Sequence, residues 1–322
     1  MKRLLAFLLI SCCACLAHAE TFAGRADVDA FIADMQARHG FDPDTLGALF
    51  AQTSPNAKVI KAIMPPADPA IRSWASYRSR FIEPRRIAAG LRFRHQHAHT
   101  LARAQARYGV PADIILAIIG VETIYGRQTG RFNTFAALTT LAFDYPPRAE
   151  LFRRELEALL LLARNEKRDP LSYRGSFAGA LGLPQFLPSS RRQWGVDFDG
   201  DGRVDLTQPA DAIGSVANFL KEHGWEPGGP VVVAATVSGE AAAYDGARPQ
   251  QLPTEMAGVA SANAPALPAV LVDLVTPNAP TEYRLGYNNF YVLMRYNRSS
   301  FYAIAVFELA QALKSGAAST KR

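Results

Sequence analysis

The distribution of apolar and polar positions over residues 27–109 predicts a series of helices. Asp42 followed by Pro43 is typical of a helix N-terminus, because the carboxylate accepts a backbone N–H and proline suits the first helical position. Gly40 is predicted to end the preceding helix. Pro65–Pro66 interrupts the pattern again. The sequence therefore predicts a helical N-terminal domain over residues 20–109.

A uniformly apolar helix is predicted to begin at Pro111 and to end at Gly126. Because its apolar residues are too numerous for one face, this helix should be buried. These residues are Ile114, Ile115, Ile118, Ile119 and Val121. A second helix with a leucine-rich core face is predicted over residues 148–166.

The pattern changes after Gly228–Gly229. Val231–Val233 and the runs 270–275 and 290–296 are rich in residues that favour strands. An amphipathic helix is predicted from Ser300 to Leu313. The fold class expected is mainly α (α+β), divided into residues 20–109, a core over 110–228, a small β-rich insertion over 229–283 and a C-terminal segment over 284–322.

Residues 1–19 are predicted to be a signal peptide, because Lys2 and Arg3 precede an apolar run and Ala17-His18-Ala19 suits a signal peptidase. Export to the periplasm follows. Leu9-Ile10-Ser11-Cys12 also resembles a lipobox, so an outer-membrane lipoprotein modified at Cys12 is the alternative. All three cysteines (Cys12, Cys13, Cys15) lie in this leader, so disulfides and zinc thiolates are not expected in the mature protein.

The composition, 49% hydrophobic and 20% charged, is typical of a globular protein. The formal charge of +6 falls to +4 when Lys2 and Arg3 are removed. This excess indicates an anionic partner such as a cell-wall polymer. Nucleic acid is not expected, because no basic run of five or more occurs.

Two histidines, His95 and His99, would share one helix face and so resemble a metal-binding pair. No carboxylate or third ligand occurs at matching spacing. A solvated basic helix surface is therefore the favoured interpretation of residues 85–107.

Glu122 lies near the C-terminal end of the apolar helix that begins at Pro111. A carboxylate there is costly unless it has a function or a partner. Burial would raise its pKa and keep it protonated near neutral pH, as a general acid requires. The alternative is a structural Glu122 paired with Arg127 or another cation.

Asp197, Asp199 and Asp201 occupy positions one, three and five of a segment that matches the start of an EF-hand loop. Gly202 stands at the turn position. Gln208 replaces the usual glutamate at position twelve, and Asp211 follows three residues later. Oxygen ligands at this spacing favour calcium, with an acidic turn as the alternative.

The segment Gly175–Phe186 is rich in small residues, which allow the backbone to approach a flat ligand closely. Gln185 within it has an amide that can bind sugar hydroxyl or acetamido groups. Taken alone, a turn that packs helices explains this segment better.

These motifs occur together in an order that resembles the lytic murein transglycosylase B family. The resemblance covers residues 27–312 and rests on Gly120-Val121-Glu122-Thr123, residues 175–189, residues 197–211, Asp211–Asn218 and Arg295-Tyr296-Asn297. It implies a lysozyme-like catalytic core over 110–228, with an EF-hand-like calcium site and a C-terminal return to the substrate groove.

The resemblance also implies residue roles. Glu122 corresponds to the catalytic acid/base, and the substrate-binding positions are Ser176, Gln185, Tyr296, Asn297 and Tyr77. The calcium ligands implied are Asp197, Asp199, Asp201, Asp211 and the backbone of Arg203. Calcium would be structural, and no organic cofactor is implied.

A lytic transglycosylase needs one carboxylate, whereas ordinary glycosidases use two. No second carboxylate occurs in the motifs around Glu122. The expected reaction cleaves peptidoglycan strands and leaves 1,6-anhydromuramoyl ends, and a monomer is expected, with cell-wall synthesis enzymes as candidate partners. Two alternatives stay open at this point: a muramidase that uses Asp144 or Asp169 as its second carboxylate, and a non-catalytic wall-binding or calcium-binding module.

Overall fold

The computed structural model describes residues 20–65, 72–239, 246 and 248–319. The leader predicted for residues 1–19 lies outside these residues. Its signal peptide and the lipobox at Cys12 therefore stay predictions.

Thirteen helices and six strands lie in the described residues. The helices are α1 (Ala26–His39), α2 (Pro43–Ala51), α3 (Ala57–Ile63), α4 (Trp74–Ser79), α5 (Pro84–Gln96), α6 (Ala98–Tyr108), α7 (Ala112–Thr123), α8 (Thr134–Asp144), α9 (Ala149–Asn165), α10 (Pro188–Trp194), α11 (Pro209–Glu222), α12 (Asn288–Tyr296) and α13 (Ser300–Ser319). The strands are β1 (Phe132–Asn133), β2 (Arg174–Gly175), β3 (Val232–Val237), β4 (Val259–Ala260), β5 (Val270–Leu274) and β6 (Glu282–Gly286).

The chain divides into two compact units, residues 1–56 and 57–322. In the described part of the first unit, α1 and α2 pack through the rings of Phe31 and Phe50, whose centroids are 6.2 Å apart. Asp42 caps α2 as predicted, because its side chain accepts a hydrogen bond from the backbone of Thr45. Gly40 ends α1 with a φ of 66°. The boundaries predicted at residues 109, 228 and 283 stay predictions.

The core of the second unit is built around α7, in which nine of the twelve residues are buried, as its apolar sequence predicted. α13 packs against α7 and α5, and α11 packs against α6 and α7. Two segments far apart in the sequence, α7 and α13, thus lie side by side. This contact positions the candidate site.

Strands β4, β3, β6 and β5 form an antiparallel sheet in that order. Leu285 of β6 lies opposite Val233 on one side and Leu271 on the other. Leu285 and Leu271 are buried in a small core that belongs to this sheet. The β-rich insertion expected from Val231–Val233 and residues 270–275 therefore forms strands in the structure.

Two predictions about elements were wrong. Residues 290–296, predicted as a strand, form most of helix α12, because Phe290, Leu293 and Met294 recur at helical spacing and are buried together. The helix predicted to end at Gly126 ends at Thr123. Ile124 and Tyr125 follow with φ values of 50° and 57°, so the chain leaves α7 through two left-handed residues.

His95 and His99 do not share one helix, because α5 ends at Gln96 and α6 begins at Ala98. In the described part of the chain, the only group of acidic, His or Cys side chains close enough to hold a metal ion lies elsewhere. Among the same described residues, no single helix is long and apolar enough to cross a membrane. Only α6 and α7 taken together have the necessary length and apolar composition, and they are bent by 116° relative to each other.

Candidate active site

Glu122 lies in the last turn of α7, where it is only partly accessible to solvent. Its Oε1 atom accepts a hydrogen bond of 2.7 Å from the hydroxyl group of Tyr302, near the start of α13. The pairing with Arg127, which was the structural alternative for Glu122, is not among the ion pairs of the described residues. The partner of this carboxylate is therefore a neutral phenol.

Burial raises the pKa of Glu122 to about 7, and the hydrogen bond from Tyr302 opposes this shift. No other carboxylate among the described residues contributes to it. A carboxyl group with this pKa exists in both protonation states at neutral pH. It can donate a proton in one step and accept one in the next.

Three tyrosines lie within electrostatic reach of Glu122. Burial, with the nearby Glu122 carboxylate, raises the pKa of Tyr77 to about 12, and it also raises the pKa values of Tyr296 and Tyr302. The rings of Tyr296 and Tyr302 are stacked with centroids 6.3 Å apart. Two of the predicted substrate-binding residues, Tyr77 and Tyr296, are thus brought to the predicted acid.

The turn over residues 181–186 is hydrogen-bonded to Thr123 and to Tyr296. Thr123, the residue after Glu122, donates a hydrogen bond of 2.9 Å to the carbonyl oxygen of Leu183. The hydroxyl of Tyr296 donates one of 2.6 Å to the carbonyl oxygen of Pro184. Gly182 has a φ of 68°, and a Cβ atom there would lie 2.4 Å from the carbonyl oxygen of Leu206. Glycine at this position is therefore required both by conformation and by space.

Gln185 is half-buried in the same turn and has a left-handed backbone with a φ of 53°. Its amide group donates hydrogen bonds of 2.8 Å to the carbonyl of Gly182 and 3.2 Å to that of Thr129. Both donors are used within the protein, so the side-chain oxygen is the group left for a ligand. We therefore expect Gln185 to bind a ligand through its side-chain oxygen and not through its amide N–H groups.

Ser176 and Asn297 differ in how their side chains are held. The hydroxyl oxygen of Ser176 accepts hydrogen bonds from the backbone of Ala178 and Ala180, at 3.2 and 3.1 Å, which leaves its proton for donation. Asn297 directly follows Tyr296 at the end of α12 and is exposed. The chain itself therefore places Asn297 next to Tyr296.

The loop over residues 197–211, which we call the acidic loop, brings together three of its predicted calcium ligands. Asp197, Asp199 and Asp211 each offer a carboxylate oxygen, and these atoms lie within 4.8 Å of one another. Asp201 is exposed, outside this group, and its carboxylate accepts the backbone N–H of Arg203. Hard oxygen donors at this spacing suit calcium, so the residues fit the ion.

Asp211 is buried at the start of α11 and organises the loop. Its carboxylate accepts backbone N–H groups from Phe198 and Asp205, both at 2.7 Å. Burial raises the pKa of Asp211, and these hydrogen bonds oppose the shift. The loop is therefore anchored to the core through one carboxylate.

A family profile described as the transglycosylase SLT domain matches residues 23–311. The chain belongs to the transglycosylase SLT family.

Relatives of known name agree with this membership. Membrane-bound lytic murein transglycosylase B of Escherichia coli strain K12 is 41% identical over 307 residues, covering 91% of this chain and 84% of that protein. The crystal structure of soluble lytic transglycosylase SltB1 from Pseudomonas aeruginosa is 44% identical, with a TM-score of 0.84, and covers 91% of this chain and 99% of that chain.

Two further structures were solved with ligands. Escherichia coli Slt35 in complex with calcium is 40% identical, with a TM-score of 0.83 and coverage of 92% of this chain and 95% of that chain. Pseudomonas aeruginosa SltB3 in complex with NAG-anhNAM-pentapeptide is 33% identical, with a TM-score of 0.74 and coverage of 89% and 78%.

The SLT-family chain is thus an enzyme, a lytic transglycosylase that acts on peptidoglycan. The resemblance to the lytic murein transglycosylase B family and the mainly α, lysozyme-like fold are confirmed. The alternative of a non-catalytic wall-binding or calcium-binding module is not supported. The roles predicted for individual site residues stay predictions.

Sequence reasoning missed three residues that hold the site of this SLT-family enzyme. Tyr302 donates to Glu122, Thr123 donates to the 181–186 turn, and the buried Arg86 donates from its guanidinium group to the carbonyl oxygen of Gly120. Tyr302 lies in an apolar helix where it resembles a core residue. An arginine in a run of basic residues gives no sign of burial. Thr123 was quoted only as part of a motif.

Proposed function

We propose that this lytic transglycosylase cleaves the bond between N-acetylmuramic acid and N-acetylglucosamine and leaves 1,6-anhydromuramoyl ends, with Glu122 as the only catalytic carboxylate. The observation that carries this proposal is the partly buried carboxyl group of Glu122, whose pKa is raised to about 7. Its hydrogen-bond partner is a tyrosine, not a second carboxylate or a cation.

In the first step, protonated Glu122 donates its proton to the glycosidic oxygen, and the bond from this oxygen to C1 of the muramoyl sugar breaks. The acetamido oxygen of the same sugar stabilises the cationic centre at C1. Glu122 is now ionised, and the hydroxyl of Tyr302 stabilises its charge.

In the second step, ionised Glu122 takes the proton of the muramoyl 6-hydroxyl group, and that oxygen forms a bond to C1. The ring closes without water, and Glu122 is protonated again. The anhydro sugar in the SltB3 complex has the chemistry of this product.

The predicted substrate-binding residues supply groups that suit sugar binding. Ser176 has a proton to donate and Gln185 an oxygen to accept, which are the two roles that acetamido and hydroxyl groups need. Tyr77 and Tyr296 supply aromatic rings beside the acid, and Asn297 an exposed amide next to Tyr296. We assign these five residues to substrate binding.

Calcium belongs to the proposal as a structural ion. Asp197, Asp199 and Asp211 would hold it, with Asp201 and the backbone of Arg203 completing the site, and it would neutralise the clustered carboxylates. The calcium complex of Slt35 supports this assignment. No organic cofactor is needed by the two steps.

We place the enzyme in the periplasm, because its substrate, peptidoglycan, lies there. A signal peptide over residues 1–19, a monomeric enzyme and contacts with cell-wall synthesis enzymes belong to the same proposal.

Turnover of purified peptidoglycan by matched carboxylate variants tests the single-carboxylate mechanism. Glu122→Gln should abolish release of soluble fragments while the protein stays folded. Asp144→Asn and Asp169→Asn should keep near wild-type turnover; Asp169 caps the 170–172 turn through the backbone N–H of Leu171, a role that asparagine retains. Loss of turnover in folded Asp144→Asn or Asp169→Asn protein would instead support a two-carboxylate muramidase.

A further inference from the structure

A second cleft lies outside the candidate active site. It has a volume of about 850 Å³ and is formed by the C-terminal ends of α9 and α10 and by residues 202–205 of the acidic loop. Five cationic side chains line it: Lys167, Arg168, Arg191, Arg192 and Arg203. None of the residues proposed to bind sugars or to carry out catalysis is among its lining residues. We call it the basic cleft.

The two acidic residues of the basic cleft are already bonded within the protein. Glu166 accepts hydrogen bonds from the hydroxyl of Tyr173 and from the buried Arg191. Asp205 accepts two hydrogen bonds from Thr207, at 2.9 and 2.7 Å. Glu166 is thus paired with Arg191, whereas Asp205 keeps its negative charge, so the five cations and two carboxylates leave the basic cleft with a net charge of +3.

Two of the five cations have structural partners. Arg191 also donates to the carbonyl of Val204, and Arg168 donates to Ser172 and lies over the ring of Tyr173. Lys167, Arg192 and Arg203 are exposed, and among the described ion pairs none includes them.

The ends of α9 and α10 account for only part of this charge. Cations near a helix C-terminus interact favourably with its carbonyl groups, which suits Lys167 and Arg192. Arg203 lies in a loop and has no such role. Three like charges in one concave surface attract a polyanion more strongly than scattered charges do.

The basic cleft and the candidate active site share one structural segment. Leu206 follows the cleft residue Asp205, and its carbonyl accepts the backbone N–H of Leu183 at 2.9 Å. Leu183 belongs to the turn that carries Gln185. Residues 203–206 therefore connect the basic cleft to the turn that carries Gln185.

We propose that the basic cleft binds free carboxylates of peptidoglycan peptide stems and so holds the polymer at a second place. The glycan part of peptidoglycan offers hydroxyl and acetamido groups, whereas the stems carry free carboxylates. Exposed lysine and arginine side chains without acidic partners are suited to carboxylates. The proposal rests on the substrate class of the enzyme and not on the catalytic role of Glu122.

Binding to insoluble peptidoglycan with free carboxylates and with amidated carboxylates tests this proposal. The double variant Lys167→Gln/Arg192→Gln, made in the Glu122→Gln protein, should bind stem-bearing peptidoglycan about three- to tenfold more weakly, as expected for the loss of two exposed charge contacts. Variant and parent should bind equally to the same peptidoglycan once its carboxylates have been converted to uncharged amides with ethanolamine and a carbodiimide. Arg85→Gln/Arg92→Gln removes the same charge from exposed positions on α5 and should bind both materials like the parent protein.

Equal binding of unmodified peptidoglycan by the cleft variant and its parent would overturn the proposal, as would an equal loss on amidated peptidoglycan or in the Arg85→Gln/Arg92→Gln control. A second measurement uses a free stem tetrapeptide and sodium phosphate as probes of backbone amide shifts. The tetrapeptide should change the amide chemical shifts of Gly195 and Gly202. If phosphate changes these shifts and the tetrapeptide does not, the cleft binds a phosphate ligand instead. Fragment release is measured separately, so turnover by the Glu122→Gln protein would contradict the proposed mechanism without affecting these binding results.

Discussion

Tyr302 and Glu122 are 180 residues apart in the chain, yet the Tyr302 hydroxyl donates a 2.7 Å hydrogen bond to the Glu122 carboxylate. Two opposed effects thus set the pKa of Glu122: burial raises it, and the tyrosine lowers it. Their balance leaves the pKa at about 7, where the group can act as an acid and then as a base.

Replacement of Tyr302 by phenylalanine should raise the pKa of Glu122 further, because the ionised form loses its hydrogen bond. The alkaline limb of the pH profile of kcat/KM reports loss of the protonated form. It should move to higher pH by roughly one unit, as expected for a hydrogen bond of about 1.5 kcal/mol to a charged group. Initial rates on soluble glycan strands between pH 5 and 9 measure this shift.

Tyr296→Phe is the matched control, because the hydroxyl of Tyr296 bonds to the Pro184 carbonyl and not to Glu122. It should change KM or stability and leave the alkaline limb in place. An unchanged limb in Tyr302→Phe, or equal shifts in both variants, would contradict the role assigned to Tyr302.

Glu122→Gln should stabilise the fold at alkaline pH. The pKa of Glu122 rises from 4.5 in the unfolded chain to about 7 in the folded protein, so the unfolded state loses its proton first as pH rises. The free energy of unfolding of the wild type therefore falls relative to that of the variant between about pH 4.5 and 7, by on the order of 1–3 kcal/mol.

Denaturant unfolding of both proteins measures this difference. The two should be nearly equal at pH 4, and the Glu122→Gln protein should be more stable at pH 8.5. A constant difference across this range would mean that the pKa of Glu122 is not raised by folding.

Removal of calcium should lower the melting temperature by several degrees and leave turnover largely intact at modest temperature. An ion bound only by the folded state adds about 2.7 kcal/mol at a hundredfold excess over its dissociation constant. Asp199→Asn should abolish the response to calcium, because Asp199 belongs to the group of three close carboxylates. Asp201→Asn tests whether the fourth aspartate also binds the ion.

The Glu122→Gln protein serves as the calcium control and should keep the full response. A melting curve of the wild type that chelator leaves unmoved would reduce the loop to an acidic turn. Loss of turnover in chelated protein that remains folded would give the ion a part in the reaction.

The local signals in the sequence were sufficient for part of the fold and the site. The apolar run after Pro111 predicts a buried helix, and Glu122 is conspicuous because it is charged within that helix. Asp42, Pro43 and Gly40 predict helix ends, because capping depends on neighbouring backbone groups.

Features that depend on distant contacts were missed or wrong. Tyr302 lies among apolar residues of α13, and only the packing of α13 on α7 brings it to Glu122. Residues 290–296 contain aromatic and β-branched residues that favour a strand, but Asn289 fastens the start of α12 through the backbone of Glu226 and Gly229. Tertiary contacts therefore overrode local propensity.

The most direct test of the central claim is mass spectrometry of the fragments that the wild-type enzyme releases from purified peptidoglycan in water enriched in oxygen-18. Intramolecular attack by the 6-hydroxyl group predicts 1,6-anhydromuramoyl ends without the heavy isotope, about 20 Da lighter than the reducing ends that addition of one oxygen-18 water would give. Reducing ends that contain oxygen-18 would show that water attacks C1 and would contradict the mechanism in which Glu122 acts alone.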